Sequence, residues 1–579
     1  MERPRISQPR RHDDRVILHF DYDCFYAQVA ENRKPALKSL PLGIRQKGIL
    51  ATCNYEARRR GVKKLMVIHE ARKICPELVL VEGEDLAPFR DVSKHLYTLL
   101  RSYSWSAKVE RLGLDEVYFD ATDMVTYNLE LLNHNTLTQS FFYLSRDDPE
   151  KGFDFDASRV MGRTVGSPPK VVAGYESPVY MRLLLASHLA RFLRMKVEDE
   201  GYTSACGIST NKVLSKMAGS QNKPRNQTTL LTLHDPDVLS FVDQHRLRQI
   251  PGIGSKTSRV LEAHILGHEV SQDAHSLDCA VTAGQVRTHA DTTPGTLERL
   301  LGGPGAEKGL GEKVWCLLHG VDDTLVKPAS DIPTQISIED TYQGLNEPGE
   351  ILRELRKLSH SLLRRMHVDL VVDNIESPGQ RWVARPKTLR LTTRPKTSMA
   401  EGRPYNFQRC SRSQALPNFA FSLVLERGEI VDKLVDECLL PMFRRLNPGQ
   451  DKGWNTGLLN ICVANMVFTG SDDATGSGRD ISVMFRRQEE TLKQFTAYDD
   501  SPRPVQGQDG DGQDDGRDAQ ESRALESQEQ EVAWDDSNQS DLEDDGWCGW
   551  DGAELCPQCG RLLPTFAISA HQRFHILGA

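Results

Sequence analysis

The sequence predicts a multidomain protein that combines α/β and α+β domains. Its 579 residues exceed what a single hydrophobic core supports, so roughly three to five domains are expected. In the first half, short apolar strands alternate with amphipathic helical stretches, which is typical of α/β units. After a linker near 328–333, a second set of helices and strand-like segments predicts a separate α+β domain over 330–470.

The negative charge of the chain is concentrated in one segment. From Asp499 to Asp551 there are 18 acidic residues and three arginines, a net charge of −15, whereas the whole chain carries −9. The rest of the chain is therefore at +6, as expected for a protein that binds nucleic acid. Residues 471–552 are rich in Asp, Gln, Gly and Ser, which predicts a disordered acidic linker.

Neither a membrane partner nor a secretory route is indicated. No apolar run approaches the roughly 20 residues of a membrane span, and no N-terminal signal peptide is recognisable. The twelve cysteines are scattered, and only Cys556 and Cys559 form a close pair with metal-ligand spacing, which favours a reducing compartment. Residues 1–13 predict a mobile basic arm whose arginines suit nuclear import.

Carboxylates at the end of a buried strand are the strongest chemical signal. The apolar run 16–20 ends in Asp21, and the adjacent pair Asp115 and Glu116 follows far downstream. Clustered carboxylates are the ligands that hard divalent cations prefer. Because neighbours on a regular strand point to opposite faces, Asp115 and Glu116 reach one site only if the chain turns there, which Gly113 permits. The alternative, a pair of solvated surface carboxylates, stays open on the residues alone.

Five segments, in order along the chain, resemble the motifs of the Y-family DNA polymerases. They are HFDYDCFYAQVA (19–30), ATCNYEARRRGVKK (51–64), VERLGLDEVYFD (109–120), CGISTNKVLSKMA (206–218) and NKP (222–224). The resemblance implies two-metal nucleotidyl transfer, with two Mg2+ or Mn2+ ions held by Asp21, Asp115, Glu116 and the backbone carbonyl of Tyr22. Asp23 also matches the motif, and we assign it a structural role.

The resemblance also implies a right-hand fold of palm, fingers and thumb, followed by a little-finger domain. The expected boundaries are: palm, 14–35 and 106–227, with an inserted surface loop at about 145–178; fingers, 36–105; thumb, 228–326; little finger, 330–470; acidic linker, 471–552; zinc finger, 553–579. Within the little finger, 419–425 (FAFSLVL) is expected to be strand-like.

The residues expected to bind the nucleotide carry over from the same motifs. Tyr26 matches the ring that lies under the incoming sugar and excludes a 2′-hydroxyl. Tyr55, Arg58 and Lys223 match triphosphate contacts, for which guanidinium and ammonium groups are suited. Without the family, Tyr26 is equally compatible with core packing and Arg58 with an ordinary solvated basic face.

A further group matches positions that cover the nascent base pair in one subfamily of these polymerases. It consists of Gln46, Lys47 and Ile49. Arg45 and Gly48 depart from the residues expected there, so the base-pairing preference stays open.

Two later regions are expected to grip DNA. The segment 250–254 (IPGIG) resembles a helix-hairpin-helix, in which Gly252 and Gly254 allow close backbone approach and Lys256 adds charge. A plain interhelical turn is the alternative. In 381–396, several basic residues and Trp382 alternate on strand-like segments, as expected of a little finger that holds duplex phosphates.

The C-terminal segment has the ligand types and spacing of a tetrahedral zinc site, formed by Cys556, Cys559, His571 and His575. Such a short ββα-type segment needs a metal to fold. It resembles the ubiquitin-binding zinc fingers of another polymerase subfamily, although Arg573 replaces the acidic residue common there. We therefore predict structural Zn2+ and binding to ubiquitin or a ubiquitinated sliding clamp.

These features predict a nuclear, template-directed DNA polymerase of low fidelity that extends primer–template DNA with dNTPs past damage. No second carboxylate motif indicates a proofreading exonuclease. Two alternatives remain: a bypass polymerase of the subfamily that carries the zinc finger, and a catalytically weak scaffold that joins damaged DNA to ubiquitinated partners.

Overall fold

The computed structural model describes residues 8–166, 177–268, 280–303, 306–330, 332–373, 379–396, 409–448 and 454–468, together with the backbone of two strands at 553–555 and 562–564. The predicted acidic linker, residues 1–7 of the predicted basic arm and the four predicted zinc ligands lie outside these residues. Within the described part of the chain, no helix is both long enough and apolar enough to cross a membrane.

The regular elements follow the chain in four groups. Those up to Asp120 are β1 (Ile17–Tyr22), α1 (Phe25–Arg33), β2 (Leu42–Gln46), β3 (Ile49–Cys53), α2 (Tyr55–Arg59), α3 (Ile68–Ile74), β4 (Val79–Glu82), α4 (Ala87–Arg101), β5 (Val109–Leu112) and β6 (Glu116–Asp120). The next are α5 (Thr122–Glu130), β7 (Ser140–Tyr143), β8 (Gly152–Phe155), β9 (Arg163–Val165), α6 (Pro178–Asp199), β10 (Ser204–Ser209), α7 (Lys212–Gly219) and β11 (Gln227–Leu230).

The later groups are one of helices and one of mixed structure. The helices are α8 (Asp235–Asp243), α9 (Ser255–Leu266), α10 (Ala283–Thr288), α11 (Pro294–Leu301) and α12 (Leu310–Leu318). The mixed group is β12 (Gln335–Leu345), α13 (Pro348–Leu370), β13 (Val371–Asp373), β14 (Gln380–Trp382), β15 (Ala384–Pro395), β16 (Cys410–Ala415), α14 (Arg427–Leu434), a π-helical turn (Val435–Leu439), α15 (Leu440–Leu446) and β17 (Thr456–Phe468). The two strands near the C-terminus are β18 (Ala553–Leu555) and β19 (Leu562–Pro564).

A six-stranded central sheet carries the predicted carboxylates. Its order is β5-β6-β1-β10-β11-β9, with β1 antiparallel to both of its neighbours. The alternation of β1 sends Leu18, Phe20 and Tyr22 into the largest core, where α1, α4 and α6 pack. His19 and Asp21 therefore face the other side of the sheet.

The small unit and the helical unit have cores of their own. The sheet β3-β2-β4 packs with α2 and α3 around Leu50, Cys53 and Val62. The sequence boundary at residue 105 groups α4 with this unit, whereas its buried face packs in the central core. The helices α8 to α12 enclose a third core that also includes Leu214 of α7.

The C-terminal unit places helices on one face of a four-stranded antiparallel sheet. The strand order is β12-β17-β15-β16, and α13, α14 and α15 share its core. The sequence prediction of an α+β domain after the linker matches this arrangement. Beyond it, β18 and β19 pair antiparallel, with Leu555 opposite Leu562, and the connection between them contains the predicted ligands Cys556 and Cys559, which lie outside the described residues.

Three expectations for local structure were wrong. Residues 145–166 are not only a surface loop, because β9 extends the central sheet beside β11 and the ring of Phe153 stacks on Phe192. The segment 418–421 is a 3-10 helix rather than a strand. Its apolar residues are arranged in a single helical turn and do not form the hydrogen-bonded ladder of a β-sheet. Trp382 is buried, and its indole N–H donates to the carbonyl of Phe421 at 2.8 Å, so it is a core residue and not a DNA contact.

The close packing of α7 on the central sheet depends on Gly207 of β10. A Cβ atom at this position would collide with the carbonyl oxygen of Ser215 and lie 2.8 Å from the Cα of Gly219. Because both obstacles are backbone atoms, the helix would have to move as a whole.

We expect Gly207→Ala to lower the free energy of unfolding by about 2–3 kcal/mol, since overpacking displaces backbone. The control is Gly349→Ala on α13, where an added Cβ meets no atom within 4 Å. That control should be neutral or slightly stabilising. Urea unfolding of both variants measures the difference, and equal stabilities would refute the close-packing argument.

Candidate active site

Two neighbouring strands bring the predicted carboxylates together. Asp21 lies directly across from Glu116 in the antiparallel pair of β1 and β6, so both side chains project from the same face of the sheet. Asp115 precedes β6, in the turn that Gly113 begins with a φ of 68°. Its carbonyl accepts a hydrogen bond from the backbone N–H of Tyr22 at 2.8 Å. The turn thus allows adjacent acidic residues to serve one site, as the sequence argument required.

The surroundings of Asp115 and Glu116 shift the pKa values of these two neighbours in opposite directions. Burial raises the pKa of Asp115 to about 7, and the negative charges of Asp21 and Glu116 add to the effect. Burial alone would raise the pKa of Glu116 as well. The nearby imidazole of His19 and the ammonium group of Lys216 outweigh burial and hold the pKa of Glu116 at about 2. Glu116 is thus stabilised as a carboxylate, whereas the ionised form of Asp115 is disfavoured by burial and by the negative charges beside it.

Two lysines supply positive charge to this cluster. The ammonium group of Lys223 pairs with Asp21, and that of Lys216 pairs with Glu116. Among the described residues, no group of three or more His, Cys, Asp and Glu side chains is already arranged to enclose a metal ion. The donor set nevertheless fits hard divalent cations, because it consists of carboxylate oxygens. A bound cation would also offset the negative charge that these carboxylates concentrate in one place.

The carboxylate of Asp23 is used within the fold. It accepts hydrogen bonds from the backbone N–H of Arg225 at 2.8 Å and from the hydroxyl of Thr203 at 2.9 Å. Burial raises its pKa, while these hydrogen bonds act in the opposite direction. These contacts agree with the structural role expected for Asp23.

The residues predicted to bind the nucleotide lie on α1, α2 and the segment after α7, and one of them, Lys223, pairs with Asp21. The half-buried ring of Tyr26 stacks on Phe89, with centroids 4.3 Å apart, and burial together with the charge of Asp115 raises its pKa to about 12. The Tyr55 hydroxyl lies 3.4 Å from Asp23, and the guanidinium of Arg58 lies 4.7 Å from the centre of the Tyr55 ring. Burial raises the pKa of Tyr55 as well, with smaller contributions from the charges of Asp23 and Asp21, so Tyr26 and Tyr55 both lie within electrostatic reach of the cluster.

The residues predicted to cover the base pair form the hairpin between β2 and β3. Gln46 pairs with Ile49 across the hairpin, and Lys47 has a left-handed φ of 50° at the turn. The amide of Gln46 donates to the carbonyl of Gly83 at 2.9 Å. The hairpin is thus tied to the segment after β4.

The predicted DNA-gripping turn lies in the helical unit. Gly252 has a φ of 91°, and a Cβ there would lie 2.9 Å from Leu317, so both conformation and space favour glycine. Gly254 is the N-cap of α9, and Lys256 is in its first turn; all three residues are exposed. The N–H groups at the start of α9 can receive an anion such as a phosphate.

Sequence reasoning missed the partners of Glu116. His19 lies on β1 with its ring 4.8 Å from that of Tyr118, and its Nε2 is 3.5 Å from the Glu116 carboxylate. Lys216 and Lys212 are four residues apart on α7 and therefore share a face. Lys212 pairs with Glu110 at 2.8 Å. The four-residue spacing of these lysines could have indicated a basic face on α7. Their acidic partners lie about 100 residues away in the sequence, so only the fold identifies them.

Comparison with known proteins identifies one family that matches part of the chain. Residues 20–220 match the impB/mucB/samB family, and they contain all three carboxylates. Residues 20–220 are therefore similar to the impB/mucB/samB family.

Individual relatives with similar sequences include DNA polymerases named iota and IV. Human DNA polymerase iota is 31% identical over 454 residues, which are 78% of this chain and 52% of the relative. DNA polymerase iota of Drosophila melanogaster is 32% identical over 61% of this chain and 42% of its own length. DNA polymerase IV of Aeromonas hydrophila is 32% identical over 45% of this chain and 59% of its own. The chain thus spans about half the length of the iota relatives that it matches.

Because Asp115 is buried beside two other carboxylates, we expect its negative charge to lower the free energy of unfolding of the metal-free protein. We expect Asp115→Asn to raise the midpoint of thermal unfolding of the metal-free protein, because the amide removes repulsion from Asp21 and Glu116. It should also reduce the stabilisation that added Mg2+ confers. Calorimetry with EDTA or with Mg2+ measures both effects.

The control for this experiment is Asp154→Asn, which makes the same change at an exposed residue of β8. It should leave the midpoint and the Mg2+ effect as in wild type. A lower midpoint for Asp115→Asn without metal would contradict the crowding argument.

Proposed function

We propose that this protein is a template-directed DNA polymerase that copies damaged templates with low fidelity. The convergence of Asp21, Asp115 and Glu116 on one face of the central sheet carries the proposal. The similarity of residues 20–220 to the impB/mucB/samB family and the relatives named DNA polymerase iota and IV support it. Its substrates would be primer–template DNA and dNTPs, and its compartment the nucleus.

In this proposal the four folded units take the roles of a right hand. The central sheet is the palm, the small unit around β2 and β3 the fingers, the helical unit the thumb, and the C-terminal unit the little finger. Gly252, Gly254 and Lys256 of the thumb would hold a backbone phosphate, since exposed N–H groups and a lysine favour an anion.

The chemistry would be nucleotidyl transfer with Mg2+ or Mn2+. Two such ions, when bound, stabilise both the attacking and the leaving oxygens. Asp21, Asp115, Glu116 and the Tyr22 carbonyl would hold them. Lys223 would exchange its Asp21 partner for a triphosphate oxygen, because its ammonium group is already within reach of the site.

Selection of the nucleotide would fall to the aromatic and basic residues around the cluster. The ring of Tyr26, fixed by stacking on Phe89, would lie under the sugar and exclude a 2′-hydroxyl. Tyr55 and Arg58 would contact the triphosphate, and Gln46, Lys47 and Ile49 would cover the nascent base pair. If these three residues narrow the space above the base pair, as in the subfamily whose motif they match, fidelity would be low opposite some template bases.

The C-terminal segment would add a second function. Cys556, Cys559, His571 and His575 would bind structural Zn2+ and present a surface for ubiquitin or a ubiquitinated sliding clamp. Their ligand types and spacing support zinc. The acidic linker before them would let this module reach a partner beside the DNA.

Primer extension tests the polymerase proposal. Wild-type protein should extend a primer with Mg2+ or Mn2+, and Asp115→Ala should lose activity by several orders of magnitude because a metal ligand is gone. Each dNTP is supplied separately on templates that present A or T. Guanine favoured opposite T would indicate an iota-type enzyme, whereas accurate insertion of adenine would indicate an eta-type enzyme.

Asp154→Ala, remote from the cluster, serves as the control and should extend as wild type does. Absence of extension by wild type with either metal would refute the polymerase proposal. The remaining candidate would then be a scaffold that joins damaged DNA to ubiquitinated partners.

Metal analysis tests the C-terminal proposal. The full-length protein should hold about one zinc ion per chain, and the double change Cys556→Ser and Cys559→Ser should lose both the zinc and binding to ubiquitin. Cys410→Ser, at an exposed cysteine of the C-terminal unit, is the control and should retain both. If the wild-type protein holds zinc but does not bind ubiquitin, the zinc site would be structural and the proposed ubiquitin partner would be wrong.

A further inference from the structure

The side chain of Lys47 connects two units of the protein. Its ammonium group pairs with the carboxylate of Asp340 and donates to the carbonyl and the hydroxyl of Thr341, at 2.8 and 3.0 Å. An ammonium group has three hydrogens, so these contacts use its full capacity. The β2–β3 turn is thereby joined to β12 of the C-terminal unit.

The acceptor side of this contact is well defined. The side chain of Asp340 is only 13% exposed, and Lys357 of α13 lies 3.6 Å from its second oxygen. Its first oxygen also accepts from the backbone N–H of Thr341 at 2.7 Å. The pairing of β12 with β17 becomes irregular between Thr341 and Leu345. Asp340 is therefore fixed where the contact forms, at the end of the regular ladder.

The preceding residue provides a contrast. Glu339 points to the other face of β12 and accepts from Arg409 at 2.8 and 2.9 Å and from Asn460 at 2.8 Å, all within the C-terminal unit. Two consecutive carboxylates thus serve different purposes. Glu339 stabilises its own unit, whereas Asp340 reaches the turn of another.

We propose that Asp340 and Thr341 are positioning residues for Lys47, so that the C-terminal unit takes part in nucleotide selection. The inference rests on the proposed function, in which Lys47 covers the nascent base pair. Free lysine side chains sample many rotamers, and restraining one costs conformational entropy. Asp340 and Thr341 make that restraint part of the folded protein.

The β2–β3 turn is held by contacts to its backbone as well as to the side chain of Lys47. A restraint on the lysine tip therefore also fixes where the side chain lies relative to the turn. The backbone N–H of Lys47 donates to Glu84 at 3.2 Å, and the neighbouring Gln46 is tied to Gly83. These contacts fix the base of the turn within its own unit. The lysine tip is held from outside that unit, by Asp340 and Thr341, and it also lies 6.0 Å from the centre of the Tyr342 ring.

The kinetic test compares Asp340→Asn with Glu339→Gln in full-length protein. Asp340→Asn should raise KM for the incoming dNTP about three- to fivefold, the size expected for loss of a partly exposed ion pair, while kcat changes less than about twofold. The ratio of correct to incorrect insertion should shift as well. Glu339→Gln should leave both quantities as in wild type.

Hydrogen exchange tests the same contact without activity. In the absence of DNA, Asp340→Asn should speed exchange in a peptide covering 43–53, whereas Glu339→Gln should not. If wild type fails to extend a primer, the proposed function falls while the exchange experiment still decides whether the contact forms. If wild type extends but Asp340→Asn matches it in KM and selectivity, the positioning role is overturned.

Discussion

Negative charge gathered at the ends of β1 and β6 is the constraint on which the rest of the structure depends. Asp21 and Glu116 face each other across the strand pair, and the turn at Gly113 adds Asp115 from the chain that leads into β6. Three acids this close cannot all ionise in a partly buried site without compensation. The sheet therefore needs cations beside it, from the protein or from solution.

The compensation comes from elements on both sides of the cluster. Lys216 projects from α7 and Lys223 from the segment after it, and each pairs with a different carboxylate. The helix lies close enough only because Gly207 leaves no side chain between it and the sheet. Packing and electrostatics are thus linked, since moving α7 outward would separate Lys216 from Glu116.

The outer units complete the site by contacts of a different kind. The small unit contributes a hairpin whose turn is held by backbone geometry and by Glu84, and the C-terminal unit reaches it through Asp340. The contact joins residues almost 300 positions apart in the sequence. In the proposed polymerase, this arrangement couples the position of the domain that holds DNA to the cover of the nascent base pair.

The sequence by itself determined the strand that ends in Asp21, the α+β nature of the C-terminal unit and the family motifs that contain Asp21, Asp115 and Glu116. These features depend on local periodicity, on turn residues and on short motifs, which a linear pattern records. Tertiary structure alone decided that α4 joins the central core, that Trp382 is buried and that His19 and Lys216 contact Glu116. It also decided that Lys47 meets Asp340. Such contacts depend on which distant surfaces pack together, and burial and pairing across hundreds of residues leave no local signal in the chain.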